Sequence, residues 1–208
     1  SWLHCGMITI NGEKMSKSLG NFFTIREVLE KYHPEVVRYL LIASHYRSPI
    51  NYSEDNLRES KAALERFYNA LKGLPEAEPA AADEFVARFS AAMDDDFNTA
   101  SACSVLFELA REVNRLRDSD IQAAAALAAR LKSLAALLGV LQLEPEAFLQ
   151  ADAAGRVDAA AVEALIEARL AARAAKDWAA SDQIRDQLSA MGVLLEDAKG
   201  VTTWRLAD

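Results

Sequence analysis

The sequence predicts a mainly α protein, and three observations carry that expectation. Alanine and leucine dominate the chain, while only 8 glycines and 5 prolines interrupt its 208 residues. Apolar residues recur at three- and four-residue spacing through most of its length. Segments with strand-like patterning are short and lie near the two ends. With 51% hydrophobic residues in 22.8 kDa, the chain can build one to three small domains, each with a modest core.

Met7, Ile8, Thr9 and Ile10 alternate in the manner of a strand and run into Asn11-Gly12, a turn signal. The polar segment Lys14-Met15-Ser16-Lys17-Ser18 follows, then Leu19-Gly20-Asn21, whose glycine suits a turn or hinge. Thr24 and Glu27 have the spacing of a capping box, which predicts a helix over residues 25–32. Pro34 restarts the chain as a first-turn proline, with Val36, Val37, Leu40 and Leu41 at helical spacing. His45, Tyr46 and Arg47 close that second helix ahead of Pro49.

Ser53 is placed to cap a long helix with Leu57, Leu64, Phe67, Tyr68 and Leu71 on one stripe, and Gly73 to Pro79 reads as a linker. Three helices are predicted over residues 83–93, 100–117 and 121–141, making a helical bundle. Asp94-Asp95-Asp96 is a helix-joining turn in which an aspartate or Asn98 caps the next helix, because three consecutive carboxylates cannot aim at one ion without an unusual backbone. Residues 144–157, punctuated by Pro145 and Gly155, read as a second linker. Helices over 158–175 and 178–191, with Gly192 as terminal cap, precede strands over 193–197 and 201–205 joined through Ala198-Lys199-Gly200. The domains expected are therefore 1–52, the bundle at 53–143, the linker at 144–157 and a small α+β domain at 158–208.

The net charge of −8 argues against a general nucleic-acid binder. The balance is uneven: residues 1–50 carry six Lys/Arg against four Asp/Glu, residues 51–155 ten against eighteen, and residues 156–208 seven against nine. The two ends are thus better placed than the middle to meet RNA. Arg111, Arg115 and Arg117 offer either phosphate contacts or ordinary helix-end pairing. Cys5 and Cys103 make no disulfide framework; His4 and Cys5 point to opposite faces of a strand, and Cys103 falls at a core spacing. No run approaches the roughly 18 apolar residues of a membrane span, and no charged-then-apolar leader is present. A soluble, cytoplasmic chain is expected.

The segment from Lys14 to Ser18 puts two ammonium groups and two hydroxyls on one short loop. When a carboxylate attacks the α-phosphate of ATP, negative charge builds on the departing pyrophosphate, and positioned lysines stabilise it more in the transition state than in the ground state. Lys17 is the stronger candidate for that role, with Lys14 partly holding the loop. A solvated basic loop is the plain alternative.

The string Lys14-Met15-Ser16-Lys17-Ser18 followed by Leu19-Gly20-Asn21 resembles the second signature motif of class I aminoacyl-tRNA synthetases. Residues 44–53, from Ser44 through His45, Tyr46 and Arg47 to Ser53, and residues 93–99, from Met93 to Thr99, resemble the cysteinyl-tRNA synthetase family in particular. That family opens with a nucleotide-binding fold bearing a His-Ile-Gly-His-like motif and a zinc site. Neither segment occurs here, and the chain starts at Ser1 without an initiator methionine, so the resemblance implies the carboxy-terminal part of such an enzyme. It implies a class I catalytic edge with the signature loop (Lys14, Met15, Ser16, Lys17 and Ser18 meeting ATP), a stem-contact region, a DALR-like bundle and a small anticodon-binding domain. It further implies ATP with magnesium, zinc held by residues outside this chain, L-cysteine and tRNA(Cys) as partners, and a monomer that is inactive without its missing amino-terminal catalytic domain.

Sequence-specific RNA recognition works on splayed bases, with an aromatic face for stacking and charged groups for base edges. Arg173, Trp178 and Asp182 near the junction of the last two helices, with Asp197 in the hairpin, supply that inventory. Core or surface roles are the plainer alternatives for Trp178, Asp182 and Arg185, and Trp204 is expected in the core. A mycothiol-pathway ligase shares the catalytic part but lacks such a tail. A stand-alone RNA-binding or helical interaction module is the non-enzymatic alternative.

Overall fold

The structure, a computed structural model, describes residues 2–21, 24–150, 159–198 and 201–206. Its chain divides into two units, Ser1–Pro145 and Glu146–Asp208.

In the first unit, β1 (Ile8–Ile10) and β2 (Glu13–Lys14) pair antiparallel with Ile10 opposite Glu13, so that Asn11-Gly12 forms the whole connection. Both turn residues have positive φ, 48° and 83°, the geometry of a two-residue turn that asparagine and glycine accept most readily. β3 (Ile50–Tyr52) pairs parallel to β1, with Ile8 opposite Ile50, giving the order β2-β1-β3. Neither β2 nor β3 is expected from the sequence: at two and three residues they are too short to show alternation. Lys17–Leu19 form a single 3₁₀ turn after the hairpin.

The capping box at Thr24 is present, with Glu27 accepting the Thr24 amide and the Thr24 hydroxyl accepting the Glu27 amide. The helix it starts, α1 (Ile25–Leu29), stops three residues before the expected end, and Tyr32 reaches back only to the Val28 carbonyl. α2 (Pro34–Ile42) has His33 as its cap, and α3 (Glu54–Leu71) has Ser53 as expected. α4 (Asp83–Asp94), α5 (Thr99–Leu116) and α6 (Ile121–Leu137) form the bundle with α3. Its core joins Leu57, Leu64 and Phe67 to Leu106, Leu109, Val113 and Leu131, and Cys103 is buried among the α5 positions, which pushes its thiol up to about 11.

Three arginines finish this unit by donating to helix-end and loop carbonyls. Arg38 reaches Leu138 O at 2.7 Å, Arg130 reaches Ala80 O at 2.6 Å, and Arg117 reaches Lys72 O and Ala70 O at 2.8 Å each and Asn69 O at 3.2 Å. The last carbonyls of a helix have no internal partner, and a guanidinium satisfies several at once. α6 ends with Gly139 at φ 72°, where an added Cβ would lie 2.4 Å from the Arg38 guanidinium.

In the second unit, α7 (Pro145–Gln150), which begins at the last residue of the first, occupies the start of the stretch expected to be linker. The rest of that stretch, 151–157, lies outside the described residues. α8 (Ala159–Ala174) and α9 (Trp178–Ala190) pack with β4 (Val193–Ala198) and β5 (Val201–Leu206), which pair antiparallel with Leu195 opposite Trp204. The joining residues Lys199 and Gly200 lie outside the described residues. Val162, Ile166, Leu188, Val193 and Trp204 make the core, and the Trp204 indole donates to Glu163 at 2.7 Å. Among the described residues no helix is long and apolar enough to cross a membrane.

Candidate functional site

The lysine-rich segment leaves the β1–β2 hairpin directly. Lys14 is the last residue of β2, opposite Thr9, and is exposed; Met15 and Ser16 are half-buried and Ser18 is exposed. Lys17 opens the 3₁₀ turn by its backbone, and its side chain lies outside what the structure describes. Asn21 ties the segment together. Its side-chain oxygen accepts the Ser16 amide at 2.9 Å, and its side-chain nitrogen donates to Lys14 O at 3.2 Å. The Ser16 hydroxyl lies 3.0 Å from that of Ser18 and accepts the Leu19 amide at 3.3 Å.

The hairpin is held from beneath by Asn51 on β3, whose side-chain oxygen accepts the Gly12 amide at 2.9 Å. Asn56 in turn donates to Asn51 O at 2.7 Å, so the start of α3 braces β3. The two polar positions that shape this loop, Asn21 and Asn51, escape a reading based on charge, although Asn21 stands inside the quoted motif.

A second polar group joins the end of α2 to the turn between α4 and α5. Asp96 accepts from the Tyr46 hydroxyl at 2.7 Å and from Arg47 Nη2 at 3.2 Å, forms an ion pair with Arg47 whose Nε lies 2.7 Å from its other oxygen, and has His45 at 3.8 Å. The hydrogen bonds from Arg47, then those from Tyr46, hold the Asp96 carboxyl below its ordinary value. The Tyr46 carbonyl accepts the Gly6 amide at 2.7 Å, tying this corner to the strand that enters the hairpin. Asn98 caps α5 by accepting the Ser101 amide at 3.0 Å, and Asp96 belongs to an ion pair. Among the described residues no group of three or more His, Cys, Asp or Glu side chains is arranged to hold a metal ion.

In the second unit, Arg173 lies in the last turn of α8, and Asp177 caps α9 by accepting the Ala180 amide at 3.0 Å. Trp178 is the first residue of α9 and is 60% exposed. Asp182 is one helical turn further on, exposed, and paired with Arg185 at 3.1 Å. Arg173, Trp178 and Asp182 thus all belong to the α8–α9 junction. Asp197 sits in β4 opposite Thr202, and its side chain lies outside what the structure describes. Arg115 pairs with Glu112 at 2.8 Å and Arg117 is engaged by carbonyls, so of the three arginines at the end of α5 two have intramolecular partners of the ordinary kind.

Three family models match successive stretches of the chain. They are described as the tRNA synthetases class I (C) catalytic domain, over residues 1–62, the DALR domain, over residues 88–142, and the cysteinyl-tRNA ligase anticodon binding domain, over residues 159–205. A hairpin-borne lysine loop, a helical bundle and a terminal helix pair with its hairpin, so matched, define part of a class I aminoacyl-tRNA synthetase. Cysteine--tRNA ligase of Pseudomonas aeruginosa (strain LESB58) is 86% identical over 208 residues, and that of Azotobacter vinelandii is 79% identical over 207; each match covers 100% of this chain and 45% of the relative. The chain belongs to the cysteinyl-tRNA synthetase family and spans about half the length of the curated relatives it matches. Among solved structures, a chain of the Agrobacterium radiobacter K84 agnB2 LeuRS-tRNA-LeuAMS complex aligns at TM-score 0.47 and 21% identity, over 68% of this chain and 23% of that one, too weakly to bear on the fold.

Proposed function

We propose that this chain supplies the signature loop and the tRNA-reading parts of a cytoplasmic, monomeric enzyme that attaches L-cysteine to tRNA(Cys) through cysteinyl-adenylate. The observation that carries this reading is the loop itself: a lysine-bearing 3₁₀ turn closed on both sides by Asn21 and mounted on a braced hairpin. Lys17, with Lys14, stabilises the charge that grows on pyrophosphate as ATP, held with magnesium, is attacked by the cysteine carboxylate. The Ser16 and Ser18 hydroxyls and the backbone of Met15 complete the surface offered to the nucleotide. The zinc that the family resemblance implies is assigned to residues outside this chain.

The exposed apolar side chains Trp2, Leu3 and Met7 suit packing against the remainder of a catalytic domain. At the other end, exposed Trp178 suits stacking on an anticodon base. Asp182 and Asp197 supply acceptors for the imino and amino donors of guanine, and Arg173 supplies a donor for carbonyl or phosphate oxygens.

The reading is tested with a chimera in which this chain replaces the matching stretch of the Pseudomonas aeruginosa ligase. Charging of tRNA(Cys) with cysteine is expected, and a folded chimera that fails to charge it, beside an active parent, contradicts the reading. The 208-residue chain alone is expected to give no ATP–pyrophosphate exchange.

A further inference from the structure

Both lysines of the loop depend on one neutral side chain for the shape of the backbone that carries them. Asn21 lies five residues beyond Ser16 and seven beyond Lys14, yet its amide meets both: the oxygen takes the Ser16 N–H at 2.9 Å and the nitrogen gives to Lys14 O at 3.2 Å. A carboxamide is the shortest neutral side chain with a donor and an acceptor on one rigid plane. Aspartate lacks the donor and brings a negative charge to a loop proposed to meet phosphate; alanine lacks both groups. The chain reverses at Gly20, with φ 69°, which returns Asn21 to the start of the loop. The two bonds fix the positions on either side of Met15, so the 3₁₀ turn at Lys17–Leu19 hangs from a closed ring rather than from an open segment.

We propose that Asn21 is a positioning residue for ATP activation: its side-chain amide clamps Lys14 and Ser16 so that the signature loop meets the nucleotide as one preformed body. The proposal rests on the functional reading above. Its chemistry is that of preorganisation. A loop already ordered loses less conformational freedom when it engages the transition state, and a displacement of about 1 Å in a charge-stabilising group lowers the rate by orders of magnitude. Asn21 itself touches no reacting atom in this scheme. Its loss therefore lowers kcat for adenylate formation and leaves cysteine binding alone.

Two measurements test this on Asn21→Ala. In the 208-residue chain, ¹⁵N–¹H spectra are expected to shift at the amides of residues 14–21 while the remaining resonances hold their positions; an unchanged Ser16 amide overturns the clamp. In the chimera with the Pseudomonas aeruginosa ligase, ATP–pyrophosphate exchange is expected to lose at least about tenfold in kcat with KM for cysteine kept within about twofold. Unchanged kcat with shifted loop amides overturns the catalytic consequence. A parent chimera without exchange, its Ser16 amide still responding to Asn21→Ala, overturns the functional reading and with it the proposal, while the clamp stands as a structural fact.

Discussion

The Tyr68 hydroxyl on α3 donates to the Glu35 carboxylate on α2 across 2.8 Å, and both residues are buried. Glu35 also accepts the Gln142 amide at 2.8 Å and the Leu141 amide at 3.3 Å, while the Leu143 amide donates to the Tyr68 oxygen at 3.3 Å. One carboxylate thus gathers α2, α3 and the chain leaving α6. A buried carboxylate is tolerated only when its acceptor positions are filled, and here neutral donors fill them. Burial, and then the bond to Glu35, pushes the Tyr68 phenol well above its ordinary range, so it remains a donor at any working pH.

Tyr68→Phe removes one donor to Glu35 and the acceptor for Leu143 while keeping the ring. A loss of about 1–3 kcal/mol is expected, from polar groups left unpaired in the interior. Urea denaturation checks it, through a lower midpoint at unchanged slope. A midpoint equal to that of the parent chain contradicts the network.

Asp96 gives a pH signature. Its folded-state value lies below the ordinary 3.8, so its pairing stabilises the folded state above that value and is lost as pH falls through the lower one. Below about pH 4 the parent chain should therefore lose stability more steeply than Asp96→Asn, and the two curves should converge in acid. Parallel curves from neutral pH down to the acid end contradict this assignment.

Arg117 distinguishes helix capping from phosphate contact. Its guanidinium meets three carbonyls at and just beyond the end of α3, and Arg117→Ala should cost about 1–3 kcal/mol by stranding them. The salt dependence of tRNA(Cys) binding by the chimera should not change. A shallower slope with stability preserved would show that the side chain meets phosphate instead.

Trp178 and Asp182 are exposed, so their removal should leave stability within about 0.5 kcal/mol. Trp178→Ala in the chimera should weaken tRNA(Cys) binding by about 1–3 kcal/mol, the range for loss of a stacking platform, and Asp182→Ala should reduce discrimination against tRNAs with other anticodons. Filter-binding titrations check both. Unchanged affinity and unchanged discrimination remove these residues from the RNA surface.

Helix starts were the most legible part of the chain, because cap chemistry is local. Thr24, Ser53 and Asn98 each announce a helix within three residues of their own position, and each accepts the expected amide. Strand β3 was not legible. Its three residues acquire meaning only from β1, some forty positions earlier. Glu35 shows the same limit in the site's support: nothing nearby in sequence marks this glutamate as buried, and its partners lie on α3 and beyond α6. The loop's chemical type could be read from its lysines and hydroxyls, whereas its shape depends on Asn21 folding back, which composition does not reveal. Asp96 illustrates a mixed case: the run of three aspartates reads as a helix-joining turn, with Asn98 as the cap of α5, but the pairing of Asp96 with Arg47 and Tyr46, some fifty positions earlier, is not marked in the sequence.

The most direct test of the account is ATP–pyrophosphate exchange by the chimera carrying Lys17→Ala. With Lys17 in its proposed role of stabilising the charge on departing pyrophosphate, loss of its ammonium should lower kcat by about 10²–10³, as removal of a single transition-state charge stabiliser does elsewhere, with tRNA(Cys) affinity retained. A folded Lys17→Ala chimera that activates cysteine at the parent rate would contradict it.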